Sequence, residues 1–227
     1  MNKISIAIDG PAGVGKSTIA KMLAEELKYV YVDTGALYRA IAVFLSDCGI
    51  SPDDLQEKRI ADLIRDIRVE IRYEDGVQHV LVNGTDVTGR LRTQEISRMA
   101  SVTSAIPCVR EKLLDLQREL AEKYDVIMDG RDIGTVVLPQ ATLKLFLTAS
   151  AYVRAKRRYD QLKESGILGD ETLSSIQKEI EERDYQDSHR EIAPLKPADD
   201  AVIVDSSDLS MEEEIRMILS HLKEKIR

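Results

Sequence analysis

The chain has 227 residues, of which 43% are hydrophobic and 32% are charged, and its formal net charge at pH 7 is -8. This composition excludes a disordered or collagen-like chain and is typical of a globular protein with one substantial core. Because an acidic surface repels nucleic-acid phosphates, we expect no nucleic-acid partner.

The cysteine content and the apolar runs predict the compartment. Cys48 and Cys108 are too few for a disulfide framework, and no cluster of Cys and His has zinc spacing. The amino-terminal residues lack the long apolar core of a secretory signal, and no apolar stretch approaches the roughly 20 residues that span a bilayer. We therefore expect a cytoplasmic protein with no membrane contact, and a monomer by default.

The first quarter of the chain alternates between strand and helix patterns. A short β-branched run is followed by glycines and then by apolar residues at helical spacing, and the same order repeats. We predict strands at 4–8 and 29–32, a helix at 16–27, a helix from a capping Thr34 to just before Gly49, and a helix from the Ser51-Pro52 start signal to about Ile67.

Residues from Val69 to Arg92 change to an alternating pattern that is typical of antiparallel strands. Turn signals lie at Asp75-Gly76 and at Asn83-Gly84. The sequence therefore predicts a small antiparallel β insertion, which we place at residues 68–91.

Helix and strand patterns alternate again in the rest of the chain. We predict a helix from Pro107 to Tyr124, strands at 125–128, 143–147 and 201–204, and a terminal helix with a capping box formed by Ser210 and Glu213. The charged stretch at about 154–190, interrupted by Ser165 to Gly169, is expected to form a helical lid. The order predicts a doubly wound α/β fold with a parallel five-stranded sheet, in a single domain over residues 1–227.

The first strand leads into a glycine-rich loop that has the spacing of a phosphate-binding loop. Glycines allow backbone N–H groups to turn toward phosphate oxygens, a lysine reaches the outer phosphates, and a serine hydroxyl holds Mg²⁺. Chance would produce this pattern in only about one protein of this length in a hundred, and the strand before it and the helix after it make chance rarer. The loop residues are Gly10, Pro11, Ala12, Gly13, Val14, Gly15, Lys16, Ser17 and Thr18.

The loop alone does not distinguish a kinase from a GTPase switch or an ATP-driven motor. A GTPase needs a guanine-reading Asn-Lys-x-Asp sequence, which this chain does not contain. A kinase therefore becomes the first hypothesis, and a nucleotide-dependent switch stays open as the second.

Polar residues at the ends of the predicted strands indicate an acceptor site. Asp129, which follows a strand, can support the Mg²⁺ shell, and Arg131 and Asp132 come directly after it. The carboxyl ends of neighbouring strands meet in one crevice, so this group is expected near Lys16. At the next predicted helix start, Thr34 and Arg39 suit the phosphate of an acceptor.

Several motifs, taken together, resemble the bacterial cytidylate kinase family nearly end to end. They are the loop at 10–18, Asp33 to Arg39, Arg92 to Glu95, Val109 to Glu111, Asp129 to Val137, Glu182 to Asp184, Ala193 to Leu195, and Asp205-Ser206. The resemblance implies transfer of the γ-phosphoryl group of ATP to CMP or dCMP, with Mg²⁺, and it identifies the insertion as a nucleoside-monophosphate-binding segment. UMP or AMP remains the alternative acceptor within the kinase class.

The resemblance also implies roles for individual residues. Ser101, Arg110 and Asp132 would recognise the cytosine, and Arg39 and Arg131 the acceptor phosphate. The sugar and phosphate would be approached by Arg183, Asp187 and Arg190, whose spacing places them on one helical face. Arg154, Arg157 and Arg158 are candidates to close over the ATP phosphates, and of these we take Arg157, with Lys16, Asp129 and Arg131, as catalytic.

Overall fold

The structure, a computed structural model, describes residues 3–74 and 76–226. The chain divides into two compact units, residues 1–30 with 124–227, called the loop unit here, and residues 31–123, called the insertion unit. The single domain over residues 1–227 stays a prediction.

Strands and helices follow one another along the chain largely as the sequence patterns predict. The strands are β1 (Ser5–Asp9), β2 (Val30–Asp33), β3 (Val69–Glu74), β4 (Val77–Val82), β5 (Thr85–Asp86), β6 (Val126–Gly130), β7 (Leu143–Thr148) and β8 (Val202–Asp205). The helices are α1 (Lys16–Leu27), α2 (Thr34–Asp47), α3 (Glu57–Ile64), α4 (Gln94–Thr103), α5 (Pro107–Lys123), α6 (Ala151–Glu164), α7 (Leu173–His189) and α8 (Met211–Lys225). None of these helices, as far as the chain is described, is long and apolar enough to cross a membrane.

A five-stranded sheet runs in the order β2-β6-β1-β7-β8. The pairs β1 with β6, β1 with β7, and β7 with β8 are parallel. The central strands are buried on both faces, since residues 6–8 of β1 and 126–128 of β6 have no exposed surface. Helix α1 packs on β1 and β6, and α8, which begins with the expected capping box of Ser210 and Glu213, packs on β7. The predicted α/β fold with a parallel five-stranded sheet is confirmed.

The insertion unit contains a second sheet, in which β3, β4 and β5 are antiparallel. Asn83 and Gly84 both have positive φ, of 51° and 79°, as a tight hairpin turn requires. In the other predicted turn, Asp75 lies outside the described residues. Inward-facing residues of this sheet join α2, α3, α4 and α5 in one apolar core, which includes Leu37, Ile41, Val80 and Leu113. The predicted antiparallel insertion is confirmed.

Two helix starts differ from the sequence prediction. The Ser51-Pro52 signal forms a turn, in which the Ser51 hydroxyl accepts from the Asp53 N–H, so α3 begins only at Glu57 and ends at Ile64. Thr34 is the first residue of α2 and not its cap, because the Asp33 carboxylate accepts from the Ala36 N–H at 2.8 Å. An extended residue with an acceptor side chain just before the helix is the better cap.

Candidate active site

The glycine-rich loop lies between β1 and α1, as predicted. Gly10 has a φ of 148°, and a Cβ atom at this position would lie 2.2 Å from the carbonyl oxygen of Leu147 on β7. Only glycine fits there, because the backbone of the loop passes so close to the neighbouring strand. The cap of α1 is Gly15, which has no side chain to accept from the first helical N–H groups. The loop therefore leaves backbone donors at a helix N-terminus, which suits an anion.

Lys16 of this loop is buried, with 5% of its surface exposed. Its Nζ donates to the carbonyl oxygen of Pro11 at 2.7 Å. Burial, followed by the positive charge of Arg131, lowers the pKa of Lys16 well below its ordinary value, and the carboxylates of Asp129 and Asp9 oppose this shift. Phosphate oxygens at the loop would supply the negative charge that favours the protonated ammonium.

Ser17 and Asp129 lie together at the start of α1 and the end of β6. The Ser17 hydroxyl donates to Oδ2 of Asp129 at 2.8 Å. Among residues 3–74 and 76–226, no group of three or more His, Cys, Asp or Glu is arranged to hold a metal ion. A hydroxyl with one carboxylate nevertheless fits Mg²⁺, which binds to one or two protein oxygens and takes further ligands from phosphates and water.

Asp9, at the end of β1, holds the segment that follows Arg131 and Asp132. Its two carboxylate oxygens accept from the N–H groups of Ile133 and Gly134, each at 2.7 Å. Burial raises the pKa of Asp9 to about 6, although both hydrogen bonds favour the ionised form. This role was missed by the sequence reasoning, because the two partners lie more than 120 residues away and only Asp9's position at a strand end could have indicated it.

Five predicted acceptor residues lie near one another in the loop unit. Arg131 Nε donates to Oδ2 of Asp187 at 2.8 Å, and a nitrogen of Arg190 lies 3.6 Å from a carboxylate oxygen of Asp132. Burial raises the pKa of Asp187, but the charges of Arg131, Arg183 and Arg190 outweigh burial, so that its pKa lies below the ordinary value. The cluster contains three arginines and two carboxylates, and it therefore suits a negatively charged ligand.

The other four predicted acceptor residues, Thr34, Arg39, Ser101 and Arg110, lie in the insertion unit. Arg39 forms an ion pair with Asp33 at 3.0 Å. Its Nε is buried, and no described residue accepts a hydrogen bond from it, so this donor is left unsatisfied among the described residues. Thr34 is buried at the first position of α2.

Ser101 on α4 and Arg110 on α5 are linked through Ser104. The hydroxyl of Ser104 donates to the carbonyl oxygen of Ser101 at 2.9 Å, and the carbonyl oxygen of Ser104 accepts from Arg110 at 3.2 Å. The guanidinium of Arg110 also lies 5.7 Å from the ring centroid of Tyr38. The fold thus orients the guanidinium of Arg110 from two sides.

The arginines of α6 have different contacts. Arg154 is buried and donates to the Ala12 carbonyl of the loop at 3.0 Å, and it also pairs with Asp184 on α7. Arg157 is exposed and donates to the side chain and the backbone oxygen of Ser206. Helical spacing alone could not distinguish these two roles, because both residues lie in the same run of charges.

The loop presents backbone donors, a buried lysine and a Ser-Asp pair at the carboxyl edge of the parallel sheet. Together with the fold, these features define a P-loop protein that binds nucleotide phosphate. A family model described as cytidylate kinase matches residues 6–224, and the chain belongs to that family. The predicted resemblance and the nucleoside monophosphate kinase class are confirmed.

Individual relatives support the family assignment. A cytidylate kinase of Lactobacillus johnsonii is 50% identical over 222 residues, which cover 98% of this chain and 95% of that protein. A cytidylate kinase of Caldicellulosiruptor bescii is 49% identical over 219 residues, which cover 96% and 95%. A solved structure of an uncharacterized protein from Eubacterium ventriosum has a TM-score of 0.54 at 12% identity, covers 98% of this chain and 99% of that one, and shares the fold alone.

Proposed function

We propose that the protein transfers the γ-phosphoryl group of ATP to CMP or dCMP, giving ADP and CDP or dCDP. The observation that carries the proposal is the identity of about one half, over nearly the whole chain, to proteins named cytidylate kinase. In the reaction, an oxygen of the acceptor phosphate bonds to the γ-phosphorus while the bond from that phosphorus to the β,γ-bridging oxygen breaks, and ADP leaves with that oxygen.

The donor side of the proposal uses the loop at residues 10–18. Its backbone donors would hold the ATP phosphates, and Lys16 would reach the outer ones. Ser17, with Asp129 beside it, would hold Mg²⁺. When bound, this ion would neutralise phosphate charge and fix the orientation of the phosphate chain.

The acceptor side of the proposal uses the residues that the family resemblance implies. Arg39 and Arg131 would bind the phosphate of CMP, and Ser101, Arg110 and Asp132 would recognise the cytosine. Thr34 would contact the acceptor, and Arg183, Asp187 and Arg190 would contact its sugar and phosphate. The Nε of Arg39 supports this assignment, because it is a buried donor for which no described residue is an acceptor.

Catalysis in this proposal comes from positioning and charge. Lys16, Arg131 and Arg157 would stabilise the charge on the transferred group, while the helices at about 154–190 would keep water from replacing the acceptor. For Arg157 this requires that it leave Ser206 when ATP is bound. A cytoplasmic setting is part of the proposal and is supported by the presence of only two cysteines, and a monomer is the default.

A coupled assay of ADP production, with ATP, Mg²⁺ and a panel of nucleoside monophosphates, tests the proposal. We expect CMP and dCMP to give kcat/KM values well above those for AMP, UMP and GMP. Arg110→Met should reduce this preference, because it removes donors without removing the apolar stem, whereas Arg118→Met on the same helix is the control. Equal turnover of all five acceptors would refute the cytidylate assignment.

A further inference from the structure

One cross-strand pair of the small sheet forms hydrogen bonds to the end of β2, just before α2 begins. Tyr73 on β3 and Gln78 on β4 lie directly opposite each other. The Tyr73 hydroxyl donates to the carbonyl oxygen of Tyr31 at 2.9 Å. Gln78 binds Asp33 twice: its Oε1 accepts from the Asp33 N–H at 2.9 Å, and its Nε2 donates to the Asp33 carbonyl at 3.3 Å. Two side chains of the insertion thus hold the last residues of β2.

Asp33, the residue that Gln78 holds, sets the position of Arg39. The Asp33 carboxylate caps α2 through the Ala36 N–H, and both of its oxygens accept from Nη2 of Arg39, at 3.0 and 3.3 Å. A Cβ atom on Gly35 would lie only 3.0 Å from Nη1 of Arg39, so the guanidinium rests closely on the helix backbone. A shift of the Asp33 backbone would therefore move the guanidinium of Arg39 as well.

The packing of the small sheet against α2 does not depend on these hydrogen bonds alone. Val80 and Val82 of β4 are buried in the apolar core that includes α2, and Ile71 of β3 packs against it. Removal of the polar contacts of Gln78 should thus leave the sheet attached and change mainly the geometry at Asp33.

We propose that Gln78, assisted by Tyr73, is a positioning residue for the acceptor phosphate that acts through Asp33 and Arg39. This inference rests on the proposed function, since it assumes that Arg39 binds the phosphate of CMP. In this proposal the antiparallel insertion at residues 68–91 helps to position the guanidinium that binds the acceptor phosphate. Gln78 does this through Asp33, without contacting the nucleotide itself.

The test is a double-mutant cycle in the full chain, with Gln78→Met and Arg39→Met. Gln78→Met keeps the length of the side chain and removes both hydrogen bonds. We expect it to raise KM for CMP about tenfold and to leave KM for ATP unchanged. In the Arg39→Met background, Gln78→Met should have no further effect on KM for CMP, because its effect passes through Arg39.

Two further variants separate positioning from general loss of structure. Tyr73→Phe should raise KM for CMP in the same direction by a smaller factor. His79→Gln, which breaks the 2.8 Å contact between His79 and Asp86 within the same sheet, should leave both KM values unchanged. A similar rise in KM for CMP with His79→Gln would mean that any weakening of the sheet is sufficient, and it would overturn the proposal.

The outcomes also distinguish this inference from the proposed function. Unchanged CMP kinetics in Gln78→Met, or effects of Gln78→Met and Arg39→Met that simply add, would overturn the positioning role while Arg39 keeps its own. An unchanged KM for CMP in Arg39→Met would remove the assumed phosphate contact, and the inference would fall with it. The acceptor panel with the unaltered protein decides the kinase activity independently.

Discussion

Asp9 provides a test of how burial and hydrogen bonding oppose each other in the loop unit. It has 3% of its surface exposed, and burial raises its pKa from 3.8 to about 6 against the two N–H groups that favour its charge. Because the folded-state pKa is raised, the contribution of Asp9 to the free energy of unfolding is fully present below pH 3.8 and is lost as the pH rises through 6. A rise in the pKa from 3.8 to about 6 corresponds to a change of about 3 kcal/mol in the free energy of unfolding.

The perturbation is Asp9→Asn, which removes the titration and nearly preserves the shape. The asparagine can accept from only one of the two N–H groups, so the variant also carries a penalty that does not change with pH. We expect the free energy of unfolding of the unaltered protein, relative to the variant, to fall by about 2 kcal/mol between pH 4 and pH 7.

The assay is urea unfolding at half-unit steps from pH 3 to pH 7, analysed as the difference in the free energy of unfolding between the unaltered protein and the variant. Asp200→Asn serves as the comparison, because hydrogen bonding from Lys144 lowers the pKa of Asp200. For Asp200 the difference should have the opposite sign, since its contribution is lost as the pH falls. The free energy of unfolding of the unaltered protein relative to Asp9→Asn should fall as the pH rises. If it stays constant or increases with pH, burial does not prevail over the hydrogen bonds in setting the pKa of Asp9.

A change at a glycine of the loop and a change in an ion pair give two further predictions. Gly10→Ala places a Cβ atom 2.2 Å from the Leu147 carbonyl oxygen and should lower the free energy of unfolding by at least about 3 kcal/mol, with loss of ATP binding. Gly84→Ala, where the space is open but φ is 79°, should lower it by only about 1 kcal/mol, and equal effects would contradict the steric argument. Arg154→Met leaves Asp184 without its partner and should lower the free energy of unfolding by about 3 kcal/mol and raise KM for ATP. An Arg154→Met variant with unchanged thermal unfolding and ATP kinetics would show that this contact holds neither α7 nor the loop.

Patterns of neighbouring residues in the sequence were sufficient to predict many of the strands, helices and caps. The strand, the loop at 10–18 and helix α1 follow from residues that are adjacent in sequence, and so does the capping box of Ser210 and Glu213. Glycine positions, helical spacing and caps act within a few residues, which is why the sequence alone predicts them. The Ser51-Pro52 signal misled the prediction because the same residues also suit a turn.

Partners that lie far apart in the chain were decided only by the tertiary structure. Arg131 meets Asp187 across 56 positions, and Gln78 meets Asp33 across 45. No periodicity specifies such pairs, because they form only when packing brings separate elements together and excludes water around them. The sequence by itself predicted a phosphate-binding loop at Gly10 to Thr18 between a strand and a helix, because these residues are adjacent in the chain. The packing of α6, α7 and the small sheet decided which distant polar residues form hydrogen bonds and ion pairs with one another.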